Sequence, residues 1–264
     1  MKQRVVIAFF GALLLAFLAL PIVALFTTMS VADIQVGLQR SLVWPALRLS
    51  MLTTLCSLLI VVGLGTPLAW TLANRRGRLS AFAETAVQLP IVIPPAVAGV
   101  AMLLAFGRRG LMAGVLYPRG ESVGFTTVAV VMAEVFVSAP FYVQAATSAF
   151  RRIDARWITV AKTFGASELQ VLIRVALPLA APALVAGAAM SWARALGEFG
   201  ATLMFAGNLE GRTQTLPLAI YTALESDMRA AQALSILLVV FAFGLLILIR
   251  SSVRRSRELE EDGR

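Results

Sequence analysis

Three side chains able to do chemistry stand out because they are charged and embedded in apolar sequence: Glu134, Arg194 and Glu198. Arg194 and Glu198 are four residues apart, so on a helix they share a face and can pair. Ionisable groups at membrane depth are costly, and they face a protein interior or a water-filled path. Two roles follow for the pair. It can be a locked ion pair that holds helix geometry. It can also flank a translocation path, where Arg194 offsets the charge of a passing anion and Glu198 prevents tight trapping, since a conduit must release what it binds. Glu134 has no partner close in sequence, and a basic side chain from another helix would satisfy it. Thr213 and Gln214, with Thr215, offer uncharged hydrogen-bonding groups that can line an outer mouth or close a turn.

Other chemistries are excluded by what is missing. The chain has no histidine and one cysteine, Cys56, so it has no disulfide framework, no Ser/His/Asp or Cys/His arrangement, and no zinc, haem or iron–sulfur ligand set. Neither of its two lysines, Lys2 and Lys162, follows a phosphate-cradling Gly-x4-Gly-Lys-Ser/Thr loop. Any ATP used must be hydrolysed by another chain.

The elements that would position these residues are transmembrane helices. Of 264 residues, 59% are hydrophobic and 14% charged, with mean hydropathy +0.85. A soluble domain could not hide so much apolar surface. A bilayer core takes about 20 apolar residues per helix. Uncharged stretches of that order lie at 5–30, 49–74, 85–107 and 230–249, and two more, 122–150 and 175–209, carry the embedded charges. The fold class is therefore all-α and polytopic, with about six spans. The first apolar run is too long for a signal peptide and reads as a retained helix. Residues 251–264 form a mixed-charge tail read as solvated and poorly ordered.

The net charge of +9 is spread over the segments between spans, the pattern of cytoplasmic loops rather than of a nucleic-acid face. With the N-terminus inside, 15 Lys and Arg fall inside and 7 outside, which places both termini in the cytoplasm. Arg108, Arg109 and Arg119 are the discordant cluster.

Between spans four and five the chain reads as helix, turn, helix. Gly165 suits the left-handed end of one helix and Ser167 the cap of the next. Leu169, Leu172, Ile173 and Ala176 fall on one helical face, and Pro178 suits the first turn of a new helix. Small residues Ala183, Gly187, Ser191 and Ala195 recur every four positions, as at a close helix packing or a dimer seam. Pro90, Pro94 and Pro95 suit the start of the third span, and Pro140 predicts a kink in the fourth.

Gly165, nine residues, then Val175-Ala176-Leu177-Pro178 resembles the "EAA" loop of permease subunits in binding-protein-dependent ABC importers. Thr159-Val160-Ala161 stands where that family has Glu-Ala-Ala. Leu89-Pro90-Ile91-Val92-Ile93-Pro94-Pro95, Arg194-Ala195-Leu196-Gly197-Glu198-Phe199-Gly200-Ala201-Thr202 and Thr213-Gln214-Thr215-Leu216-Pro217 look like the molybdate-type permeases, with sulfate and tungstate permeases sharing much of the pattern. The resemblance covers about 45–250 and implies a single permease domain over 1–264, of the type I importer, MetI-like fold. It implies a homodimer in a cell membrane, an ATPase that uses ATP and magnesium, and an external oxyanion-binding protein, with no cofactor on this chain. It also implies an ATPase-coupling loop at 151–174, with Ala161, Phe164, Gly165, Ala166, Leu169, Leu177 and Pro178 at the contact. Arg194, Glu198, Thr213 and Gln214 are the candidates for the path. The rivals are another oxyanion such as sulfate, tungstate or phosphate, a membrane enzyme using Glu134 or Glu198 as acid or base, and a non-transporting scaffold.

Overall fold

The computed structural model describes residues 2–116 and 122–262, and among these there is no strand. Arg119, Met1 and the last two residues of the tail lie outside the described residues. The helices are α1 (Lys2–Thr27), α2 (Val31–Leu38), α3 (Val43–Asn74), α4 (Arg78–Val92), α5 (Pro95–Phe106), α6 (Ala113–Leu116), α7 (Thr127–Arg151), α8 (Ala155–Thr163), α9 (Glu168–Val171), α10 (Leu177–Leu196), α11 (Gly200–Ala206), α12 (Leu216–Ser226) and α13 (Met228–Asp262). A π-helical segment, Leu172–Ala176, joins α9 to α10.

Four continuous stretches are long and apolar enough to cross a bilayer: Val6–Thr27, Val43–Asn74, Thr127–Arg151 and Glu168–Leu196. The pair α4–α5 makes a fifth if counted as one span, and Met228–Gly244 is a shorter apolar helix. Of the six spans expected, four or five meet the length of a bilayer crossing among the described residues, and the last is a shorter apolar helix. The stretch expected as one span at 85–107 is bent by 116° between Val92 and Pro95. Pro94 and Pro95 have no N–H to give, and Ile93 and Pro94 are extended, so the helical ladder stops there and restarts. The span expected at 175–209 ends at Leu196, and α11 is a separate short helix. The helix α13 continues through the segment expected to be a poorly ordered tail, as far as Asp262.

No residue of Val6–Thr27 is buried. A helix apolar on every side and uncovered by protein is at home only in lipid. The protein core lies instead around α7. Between α3, α7 and α10, Trp70 meets Phe150 edge-on at 5.4 Å, and Thr66 shares a hydrogen bond of 2.6 Å with the Tyr142 hydroxyl. Such an aromatic pair contributes about 0.5–1.5 kcal/mol beyond the area it buries. A second core joins α5, α7 and α11, and a third joins the start of α3 to α12 and α13.

The small-residue stripe is a packing seam within the chain for most of its length. A Cβ at Gly187 would lie 2.7 Å from the Ala145 Cβ on α7, and Ser191 donates to the Ser138 carbonyl at 3.0 Å. Ala195 is buried, whereas Ala183 is exposed. Pro140 is buried within α7, which runs unbroken through it.

Candidate functional site

The elbow between α7 and α10 is built by local hydrogen bonds that its sequence dictates. Asp154 caps α8, accepting from the Arg156 N–H at 2.9 Å, and it pairs with the Arg156 guanidinium. That guanidinium holds the Asp154 carboxyl below the usual carboxylate range. At the other end Gly165 takes φ +83°, its N–H donates to the Lys162 carbonyl, and the Ala166 N–H reaches back to the Ala161 carbonyl. This pair of bonds is the Schellman closure, which needs a left-handed residue where glycine carries no penalty. Ser167 and Gln170 then form a reciprocal capping box that starts α9. Lys162 and Glu168 bridge the two arms as an ion pair.

The turn sorts the elbow's apolar residues into two sets. Ile158, Ala161, Ala166 and Leu177 are partly buried and pack against the α3–α7–α10 core. Trp157, Val160, Phe164 and Leu169 point away, with Phe164 87% exposed. Of the residues expected at a partner contact, Phe164, Gly165, Leu169 and Pro178 are therefore on the surface, while Ala161, Ala166 and Leu177 brace it from beneath. The expected single face of Leu169, Leu172, Ile173 and Ala176 is divided: Leu172 and Ala176 are buried, Leu169 and Ile173 exposed. Trp157 and Val160 were not singled out from sequence, although their spacing to Phe164 along an amphipathic α8 carries the signal. Pro178 lies in the first turn of α10, as expected, although the chain enters that helix without leaving helical geometry. It follows the π-helical segment, where the Leu177 N–H bonds to the Leu172 carbonyl five residues back, so the wider turn absorbs the donor that proline lacks.

The embedded charges lie in a polar layer between α3, α7, α10 and α11. Arg194 and Glu198 do pair, at 2.7 Å, across the end of α10 rather than within it. Glu198 is fully enclosed, and its other oxygen accepts from the Ala201 N–H at 2.8 Å, capping the first turn of α11. One carboxylate thus neutralises a guanidinium and satisfies a helix start. Glu134 finds a hydroxyl instead of the expected basic partner: Thr53 donates to it at 2.8 Å. The Trp192 indole N–H donates to Thr54 at 2.9 Å, and Ser50 accepts from the Leu216 N–H at 2.7 Å. Ser50, Thr53, Thr54 and Ser57 make one buried hydroxyl stripe on α3. The sequence reasoning missed it, yet their i, i+3, i+4, i+7 spacing was the available signal.

Thr213 and Gln214 are buried in the chain. Thr213 Oγ1 accepts from the Leu209 N–H at 2.9 Å, and the Gln214 amide donates to Thr222 at 3.2 Å. Of the two roles open to them, closing the α11–α12 turn is the one these bonds perform.

This architecture has known counterparts. Residues 65–258 match the family model described as "Binding-protein-dependent transport system inner membrane component". The chain belongs to this family. It is a multi-pass transport permease with the MetI-like fold. It is similar to the molybdenum transport system permease protein ModB of Mycobacterium tuberculosis, at 48% identity over 75% of each chain. The ModB of Escherichia coli K12 is 32% identical over 81% of this chain and 95% of its own. The probable transport system permease protein NifC of Clostridium pasteurianum is 40% identical over 78% and 72%. Among solved structures, a bacterial alginate ABC transporter in complex with its alginate-bound periplasmic protein superposes with TM-score 0.76 at 17% identity, covering 96% of this chain and 95% of that one. An inward-facing MetNI methionine ABC transporter gives TM-score 0.60 at 20% identity, over 81% and 93%. At such identities these structures speak for the fold alone.

Proposed function

We propose that this permease is the channel subunit of an ATP-driven importer of molybdate, working as a homodimer with a separate ATPase and an external oxyanion-binding protein. The observation that carries the mechanism is the elbow: a stiff, doubly capped turn that presents Trp157, Phe164 and Leu169 outward on a base packed into the transmembrane core. Aromatic residues held on a rigid support are the usual anchors of a protein interface. Force applied to the elbow reaches α10 through the π-helical segment and reaches α3 and α7 through the shared core. ATP binding draws the two ATPase chains together, and the elbows carry that motion into the helices. The two arrangements of the permease are then populated according to the nucleotide state. ATP and magnesium belong to the ATPase, and this chain carries no cofactor. Both termini and the elbow are cytoplasmic, in keeping with the loop charges, and residues 1–264 act as one permease domain.

Molybdate as cargo is supported by the similarity to the molybdenum permeases. The Arg194–Glu198 pair supplies a suitable chemistry: a guanidinium 27% exposed and already paired with a carboxylate attracts an oxyanion without gripping it. The test is uptake into proteoliposomes containing the permease and its ATPase, with the cognate binding protein outside. ATP-dependent accumulation of molybdenum is the expected result. Accumulation of sulfate with no molybdenum would transfer the reading to that oxyanion, and no ATP dependence would end it.

A further inference from the structure

Glu134 is the acid that the transport mechanism above leaves unused. It sits on α7 roughly 10 Å along the helix from Thr127, at about 1.5 Å per residue, and it is 2% exposed within one chain. Oε1 accepts from Thr53, and Oε2 has no hydrogen-bond partner. Ser138 Oγ, one turn further along α7, is also buried and unpartnered.

The charges around it do not neutralise a carboxylate. On α3 it faces the hydroxyls of Thr53 and Ser57. The other acid of the layer, Glu198, is buried as well and is a like charge. Arg194 on α10 is already bound to Glu198. The helix α5 carries no titratable residue, and Glu84 on α4 pairs with Arg151 at the far end of α7. Glu134 therefore has no ion-pair partner among the described residues, and an uncompensated charge in a protein interior is far more costly than a bound proton.

We infer that Glu134 is a proton-binding site: the folded chain holds a neutral carboxylic acid there, and the polar layer beside the Arg194–Glu198 pair carries no net charge. Oε1 is the carbonyl oxygen and takes the Thr53 hydrogen bond. Oε2 carries the proton. An ionised Glu134 would add a negative charge behind the Arg194–Glu198 pair and weaken the pull of Arg194 on an anion, so the proton serves the oxyanion reading and in that respect rests on it.

Infrared difference spectra of the permease–ATPase complex in lipid at neutral pH, wild type minus Glu134→Gln, test the site without any cargo, so a failure of the cargo reading leaves the result standing. The expected result is a protonated-carboxyl C=O band in the wild type that is lost in the variant. Thr53→Val, which removes the donor to Oε1 and keeps the acid, is expected to shift the same band to higher frequency, and it supplies the reading if Glu134→Gln fails to assemble. Loss of a carboxylate band in its place, or a C=O band that neither substitution alters, would overturn the inference.

Discussion

Gly165 and Glu198 carry the two local arguments. At Gly165 a Cβ would meet nothing within 4 Å, so the objection to a side chain is its φ of +83° and not space. Forcing an L-residue into the left-handed region costs about 1–2 kcal/mol. Gly165→Ala is expected to insert and assemble normally but to slow ATP-coupled uptake, with Gly165→Asn, which tolerates that region, closer to wild type. Equal uptake in all three would remove the turn from the mechanism. Glu198 makes a different prediction because it is buried. Arg194→Gln leaves its carboxylate with the Ala201 N–H alone, and breaking an enclosed pair from one side costs about 3–5 kcal/mol. The double change Arg194→Gln, Glu198→Gln removes the stranded charge and is expected to recover much of that loss in thermal unfolding of the detergent-solubilised protein. A double variant as unstable as the sum of the singles would mean that the two groups act independently.

Helix packing sets the next scale. At Gly187 α10 comes so close to α7 that even a methyl group would sit 2.7 Å from Ala145. Gly187→Val is expected to cost about 1–3 kcal/mol by overpacking, read as a lower melting temperature, whereas Ala183→Val on the same stripe but exposed should be near neutral. The existence of the spans was legible because the bilayer fixes their length, and the elbow was legible because glycine and serine each have a specific cap to fill. The break at Ile93–Pro94 and the stop at Leu196 were not. Three prolines within six residues read equally well as the first turn of a helix, and a stop made by Gly197 and a folded-back Glu198 depends on Ala201 being in place. The partner of Glu134 was unreadable for the same reason: hydroxyl groups on α3 become its neighbours only when α3 packs on α7.

For the whole molecule, the account fixes a direction across the membrane. In a Cys56→Ser background, Arg156→Cys should react with a membrane-impermeant thiol reagent only from the cytoplasmic side, and Gly211→Cys only from the outside. Labelling in the opposite sense would invert the molecule and place the elbow beyond the reach of any ATPase. With the direction fixed, the claim on which transport rests is that the outward aromatic residues of the elbow bind that ATPase. The direct measurement is ATP-driven molybdenum accumulation, with ATPase retention on the purified permease, for the wild type and for Trp157→Ala, Phe164→Ala. Truncating two aromatic anchors costs about 1–2 kcal/mol or more each. The account predicts at least a tenfold loss of both ATPase retention and accumulation, with the melting temperature of the permease unchanged. Retention and accumulation at wild-type levels in the double variant would contradict it.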